Sequence, residues 1–323
     1  MTDSVRSPAA PPTRGSFVDR FFFDWHTAGA LGAVRFYFGL GLAVYLYFQF
    51  DQTLRTDIMG AQFHYTRPIW YFGLLGIDHN VPWLNFATMA FLVVACLFFA
   101  FGKWTKPAII AILIAIFYLK GVRDSFSGDV HHREVPIFAL LILFLFSKCD
   151  RMFGIDARRR NLPPIEPWES SWPLRAMQVY IIMFYFWALV AKLRLSGLEW
   201  FTGGGRIQDV LISRAFRDGF TPTGDVVNLS LAYDLAQNPG LIWVFGTLVF
   251  LFELFIPLLL FFRDWRIKLL GLAAATVFHL SNYFLMNVQF FLYPFVFVTF
   301  FNMDVVHEWL KAKLKLRRTA AAA

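Results

Sequence analysis

A chain of 323 residues that is 58% hydrophobic and only 16% charged, with 40 phenylalanines and 11 tryptophans, is too apolar for a soluble domain, in which about a quarter of residues are charged. Several apolar runs approach or exceed the roughly 17–25 residues that carry a helix across a bilayer, so the expected class is an all-α, polytopic integral membrane protein. The net charge of +8 does not point to nucleic acid. Its basic clusters, "RRR" at 158–160 and "KAKLKLRR" at 311–318, flank apolar runs, where positive-inside topology accounts for them.

The first 16 residues are polar and proline-rich and read as a disordered tail. They lack the apolar stretch of a cleaved signal peptide, so the first span is expected to direct insertion. "SFVDRFFFDWHTAG" mixes aromatics with charges and reads as an interfacial helix. Eight spans are expected, at about 28–50, 83–102, 104–122, 134–149, 172–193, 240–262, 267–286 and 288–303, by the 20-residue rule. They make a membrane domain over 17–305, followed by a basic tail over 306–323. "RPIWYFGLLGIDHNVPW", between spans one and two, is broken by Gly and Pro and fits an interfacial or re-entrant segment better than a further span.

The connection from about 195 to 239 is too long for a bare loop. "RIQDVLISRAF" and "GDVVNLSLAYDLAQNPG" predict two short helices, which would form a lid on the extracytoplasmic side between spans five and six. With the N terminus in the cytoplasm, the inner loops hold Lys103, Lys106, Lys148, Arg151, Arg158, Arg159, Arg160, Arg263, Arg266 and Lys268. The basic tail is inside as well, as the positive-inside rule requires. Cys96 and Cys149 fall in or at the end of spans, which argues against a structural disulfide.

In this topology three distant stretches bring titratable groups to the outer half of the bilayer. Lys192 lies at the outer end of span five. Two readings compete: a charge snorkelling into the headgroups, or an amine shielded from water whose ammonium form is disfavoured, so that it serves as a base. His279 lies inside span seven, and Thr276, Asn282 and Tyr283 share its face at i−3, i+3 and i+4. Polar groups at that depth are costly and face a bundle interior, as a structural network or a site wall. Glu253 lies mid-span with Pro257 four residues on, a spacing that frees the carbonyl of residue 253 and kinks the helix. Its readings are an ion pair with the buried Arg35 or a proton-handling role. "DVHHRE" at 129–134 resembles a metal motif, but adjacent histidines cannot share one helix face and no HExxH accompanies them. Hydrogen bonding or acid–base work by His131 or His132 is expected, and no metal. Arg206, Arg214 and Arg217 in the lid are read as solvated or as attracting an anionic substrate.

"AKL…EWFTGG" in span five, then "FELFIPLLLFF" and "FHLSNYF", resemble the membrane domain of the vitamin K-dependent gamma-glutamyl carboxylase family. The bacterial relatives of that family are grouped as horizontally transferred transmembrane (HTTM) proteins. The family's Lys-Leu and Trp-x-x-Gly are matched by Lys192–Leu193 and Trp200–Gly203, and its Phe-His-x-x-Asn by Phe278, His279 and Asn282, within a likeness covering about residues 17 to 305. The spacing from Leu193 to Trp200 is about three residues longer than the family's. The family's large outer domain, which helps bind the protein substrate, has no counterpart in this chain.

The resemblance implies that Lys192, as a free amine, deprotonates a reduced vitamin K- or menaquinone-type hydroquinone, with O2 and CO2 as co-substrates and no metal. It implies that His131 or His132 hydrogen-bonds the quinone, while His279 and Asn282 orient the site. Thr276, Tyr283, Trp200, Glu253 and Arg35 are counted with the quinone- and substrate-binding residues. The partners implied are the lipid bilayer, a membrane quinol and a protein or peptide substrate on the extracytoplasmic side, with no nucleic acid. The location implied is a bacterial cytoplasmic membrane with both termini inside. A transporter whose solute path is lined by the same groups, and a haem electron carrier ligated by His279 and an outer histidine, are the alternatives.

Overall fold

In the computed structural model the described residues are 15–55, 64–65, 67–127, 134–202, 205–219, 229–286 and 293–320. They form an all-α protein whose one element of extended pairing is an isolated bridge between His64 and His79. The expected tail over 1–16 lies almost wholly outside them, as do His131 and His132.

The chain begins with a short helix, α1 (Phe17–Phe23), started by a capping box in which Ser16 and Asp19 satisfy each other's backbone N–H groups. Then follow α2 (Ala30–Arg55), α3 (Trp70–Leu74), α4 (Pro82–Phe101), α5 (Thr105–Ser127), α6 (Val135–Phe146), α7 (Ile155–Arg159) and α8 (Pro167–Ser196). A 3₁₀ turn (Gly197–Trp200) leads into α9 (Arg206–Gly219) and α10 (Leu229–Ala236). The chain continues through α11 (Pro239–Phe255), a 3₁₀ segment (Ile256–Leu260), α12 (Trp265–Met286), a second 3₁₀ segment (Tyr293–Phe300) and α13 (Met303–Ala320).

Five stretches among the described residues are helical, long and apolar enough to cross a membrane: Ala30–Phe48, Pro82–Phe101, Thr105–Phe126, Pro167–Trp200 and Pro239–Leu260. Large apolar side chains on them, including Phe91, Ile114, Leu248 and Trp187, face outward, as a lipid solvent permits. The other three expected spans take different forms. The fourth is a helix of 12 residues, about 18 Å at 1.5 Å per residue against a hydrocarbon core of about 30 Å. The seventh corresponds to α12, 22 residues long. The eighth includes the 3₁₀ segment Tyr293–Phe300. "RPIWYFGLLG" contains a helix of only 5 residues, in keeping with an interfacial segment.

Local chemistry sets the joints. α4 ends at Gly102, whose φ of +66° is the left-handed conformation that glycine adopts without steric cost. A Cβ there would lie 2.6 Å from the Cα of Gly154, so the next turn can pack directly on this one. Pro257 does what its missing N–H predicts: α11 stops at Phe255 and continues as a 3₁₀ turn. Pro136 instead sits in the first turn of α6, where a lost N–H costs nothing.

One apolar core joins α2, α4, α5, α6 and the first two-thirds of α8. A smaller cluster holds the connection after α8: Ile207 and Leu211 of α9, Ala232 and Ala236 of α10, and Ile242 of α11. The two short helices predicted from 195–239 are therefore present.

Candidate functional site

The longest helix organises the polar interior. Ser171, Gln178, Tyr185 and Lys192 recur every seven residues along α8. Seven residues are nearly two turns, so all four lie on one face. Over 21 residues that face is roughly 30 Å long, about the thickness of the hydrocarbon core. At each level another element supplies a partner. Ser171 Oγ accepts from the backbone N–H of Trp25 at 3.0 Å. Gln178 meets His26 at 3.0 Å and donates to the carbonyl of Thr299 at 2.6 Å. Tyr185 meets His279 Nε2 at 2.7 Å, and Lys192 donates to Glu253 Oε1.

At the fourth level the lysine meets a carboxylate from another helix. Side chains on an α-helix lean toward its N terminus. Lys192 sits four residues before the C-terminal end of α8, so its stem leans back into the bundle. Its side chain is 21% exposed and is ion-paired with Glu253, which is 1% exposed. The snorkelling reading is thereby replaced by a pairing with Glu253. Glu253 Oε2 is buried and accepts no hydrogen bond from the described residues. The Lys192 ammonium lies 6.0 Å from the ring centroid of Trp200, and that half-buried indole packs against both outer apolar clusters. Gly246 lets the chain close here, since a Cβ on it would stand 2.9 Å from the carbonyl oxygen of Phe201.

The expected Arg35–Glu253 pair does not form. Arg35 is fully buried and donates to the carbonyls of Cys149, Met152 and Phe153 at 2.7, 3.2 and 2.9 Å. It lies early in α2, beside Gly102 and Gly154, and its planar fork collects carbonyls from the turn between α6 and α7. Arg35 is a brace for that turn and is not near Glu253.

Below the ion pair, Tyr185 is 3% and His279 4% exposed. Phe252 and Phe278 stack at 4.7 Å between centroids, and both pack on the Tyr185 ring. The shared face predicted for α12 is only partly realised. Thr276 donates to the carbonyl of Leu272 in its own helix at 2.8 Å, a local bond open to any helical threonine. Asn282 and Tyr283 are half-buried. Removing the Tyr185 hydroxyl should cost about 1–3 kcal/mol, the penalty for depriving a buried polar atom of its partner. The check is thermal unfolding of Tyr185→Phe in detergent.

Sequence reasoning missed Tyr185, Gln178 and His26, although the seven-residue spacing of polar residues within an apolar run was a legible signal. His26 lies ahead of the first span. It faces Asn302 Oδ1 through Nδ1 at 3.0 Å and the Gln178 amide nitrogen through Nε2 at 3.0 Å. Nε2 therefore accepts, and Nδ1 carries the proton of a neutral ring. Burial pushes its pKa down from 6.5 to about 3. Protons then bind the unfolded chain more tightly than the folded one, so the stability from neutral His26 is complete above pH 6.5 and is lost as pH falls toward 3. The melting temperature should drop more steeply between pH 7 and pH 5 in the native protein than in His26→Gln.

A second polar cluster also escaped the sequence. Lys120, Arg123 and Asp124 at the end of α5 meet Glu134 at the start of α6, with both carboxylates wholly buried. It ties together the two ends of 128–133, the stretch that carries His131 and His132. Elsewhere, His64, Asp78 and His79 place one ligand atom each within 4.8 Å of one another at an exposed edge. Asp78 is held below the usual carboxylate range by its hydrogen bond from His79. Comparison with protein families, curated proteins and solved structures finds no match for this chain.

Proposed function

We propose that this chain is a polytopic membrane enzyme that takes a proton from a membrane-borne hydroquinone at the Lys192–Glu253 pair. The reading follows the vitamin K-dependent gamma-carboxylases that its motifs resemble. It includes eight spans, α9 and α10 as an extracytoplasmic lid, and both termini in a bacterial cytoplasm, the last supported by the loop charges. The observation that carries it is the meeting of Lys192 and Glu253 from separate helices, with one carboxylate oxygen buried and without a hydrogen-bond partner among the described residues.

The residues present fit a hydroquinone. Glu253 Oε2 offers an acceptor for a phenolic hydroxyl. The stacked Phe252 and Phe278 and the Trp200 indole supply aromatic walls nearby. When bound, the hydroquinone supplies the electrons that reduce O2, and with them the driving force for removing a carbon-bound proton and adding CO2. The chain's own work is narrower. Lys192 is the base, taking the hydroquinone's proton on its amine nitrogen. The ammonium so formed already faces Glu253 Oε1, so the product state meets a preorganised partner. Tyr185 fixes the His279 ring beneath. A peptide glutamate would reach the site from the lid side.

The test is turnover of chemically reduced menaquinone by purified protein in air, with quinone epoxide read by mass spectrometry. Epoxide made by the native chain and not by Lys192→Ala is expected. Intact quinone binding without epoxide would overturn the oxygenase reading.

The four-level stripe on α8 favours a second reading, proton-coupled transport, because it carries polar groups across the whole bilayer thickness. Solute-driven pH change in proteoliposomes, with no oxygen consumed, would select it. Ligation of haem by His279 would require Nε2 to leave Tyr185 or the ring to turn.

A further inference from the structure

At the opposite end of the bundle from Lys192, three cations gather around one indole. The guanidinium of Arg175 lies 4.0 Å from the ring centroid of Trp25, that of Arg263 at 4.8 Å, and the ammonium of Lys268 at 5.7 Å. They come from three separate places: Arg175 from α8, Arg263 from the turn after the 3₁₀ segment, and Lys268 from the first turn of α12. None forms an ion pair among the described residues.

The nearby acids are otherwise placed. Asp264 accepts from the backbone N–H of Arg266 at 2.8 Å, and Asp24 meets Arg263 only through its backbone carbonyl at 3.4 Å. Arg175 is held by the carbonyls of Phe21 and Leu260 and by Gln178, at 3.0, 2.8 and 2.6 Å, so its charge is fixed but not neutralised. Lys268 is 8% exposed, and its ammonium makes no hydrogen bond among the described residues. A cation in the first turn of a helix also opposes the positive end of the helix dipole. Three like charges, one of them on a largely buried side chain and without a hydrogen bond among the described residues, repel one another. Positive-inside bias explains basic residues in loops. It does not explain a buried lysine facing two arginines.

We infer that Arg175, Arg263, Lys268 and Trp25 form a site for the phosphodiester of an anionic phospholipid. A phosphate group there would cancel the mutual repulsion and give the Lys268 ammonium its acceptor. It would also lie at the N terminus of α12, where anions are favoured. The exposed Phe261, Phe262 and Trp265 around it offer apolar surface for acyl chains, which a free phosphate lacks. Basic pockets between helices at the membrane surface bind anionic headgroups in this way.

The test uses the full chain in a neutral detergent. It is titrated with dioleoyl phosphatidylglycerol, dioleoyl phosphatidylcholine or inorganic phosphate at matched ionic strength, reading melting temperature and lipid retained in native mass spectra. Saturable stabilisation by phosphatidylglycerol alone is expected. Arg263→Gln, at an exposed position that leaves the fold intact, should weaken the half-saturation by roughly fivefold, the worth of one cation at a membrane surface. Lys268→Gln should weaken it at least as much. Equal effects of phosphatidylcholine, or an unchanged phosphatidylglycerol titration in Arg263→Gln, would overturn the site. Equal stabilisation by inorganic phosphate would overturn its assignment to lipid.

Discussion

Lys192→Arg should remain folded and lose quinol-dependent epoxide formation by about 100-fold or more, the usual worth of a positioned acid–base group. Arginine keeps the cation that Glu253 faces, so the buried carboxylate is not abandoned. It does not give up its proton in a protein, so it offers no free amine to take one from substrate. Lys192→Ala confounds the two effects. It strands a carboxylate 1% exposed, and breaking a buried pair from one side costs about 3–5 kcal/mol in its own right. Glu253→Gln completes the set by keeping the shape and removing the charge. Full turnover in Lys192→Arg, with an unchanged melting temperature, would remove the lysine from the chemistry and leave it a structural partner of Glu253.

A second large loss of stability is expected elsewhere. Arg123 donates twice to Glu134, at 2.6 and 3.0 Å, and twice to Asp124, at 3.3 and 3.2 Å. Lys120 adds a second cation on Asp124. Arg123→Met removes the guanidinium that serves two wholly buried carboxylates. About 3–5 kcal/mol of destabilisation follows, a fall in melting temperature on the order of 5–10 °C. Adding Glu134→Gln to that variant should recover part of the loss, because the second change removes a buried charge that the guanidinium had faced. Strictly additive losses would mean that the two side chains do not act as a pair. The network closes the ends of 128–133, so its weakening should also reduce any activity that depends on His131 or His132.

The all-α class with membrane-length apolar helices, the short helix at Phe17–Phe23, the two helices between 195 and 239 and the break at Pro257 could all be read from the sequence. Each rests on local physics: apolar length against bilayer thickness, the local pattern of apolar and charged residues, the missing N–H of proline. Lys192, Glu253 and His279 also stood out, because polar groups are costly among apolar ones wherever they fall in a span.

Their partners could not be read the same way. Glu253 had two cations to choose from, Arg35 and Lys192, and composition is blind to which helix end meets which. The structure puts Arg35 beside Gly102 and Gly154, where backbone carbonyls take its donors, and sends Lys192 back along α8 to the carboxylate. The seven-residue spacing puts Tyr185 and Gln178 on one face but does not say what each would meet. A tyrosine or glutamine in an apolar run carries no distinguishing charge, and its role appears only once another element brings His279 or His26 to it. The cations around Trp25 show the same limit. Arg263 and Lys268 read as ordinary inner-loop charges until folding carried them to Arg175, 88 and 93 residues earlier in the chain. Cost of burial is a property of one residue and its segment, which the sequence contains. Pairing is a property of two segments brought together, and only the packed bundle decides it.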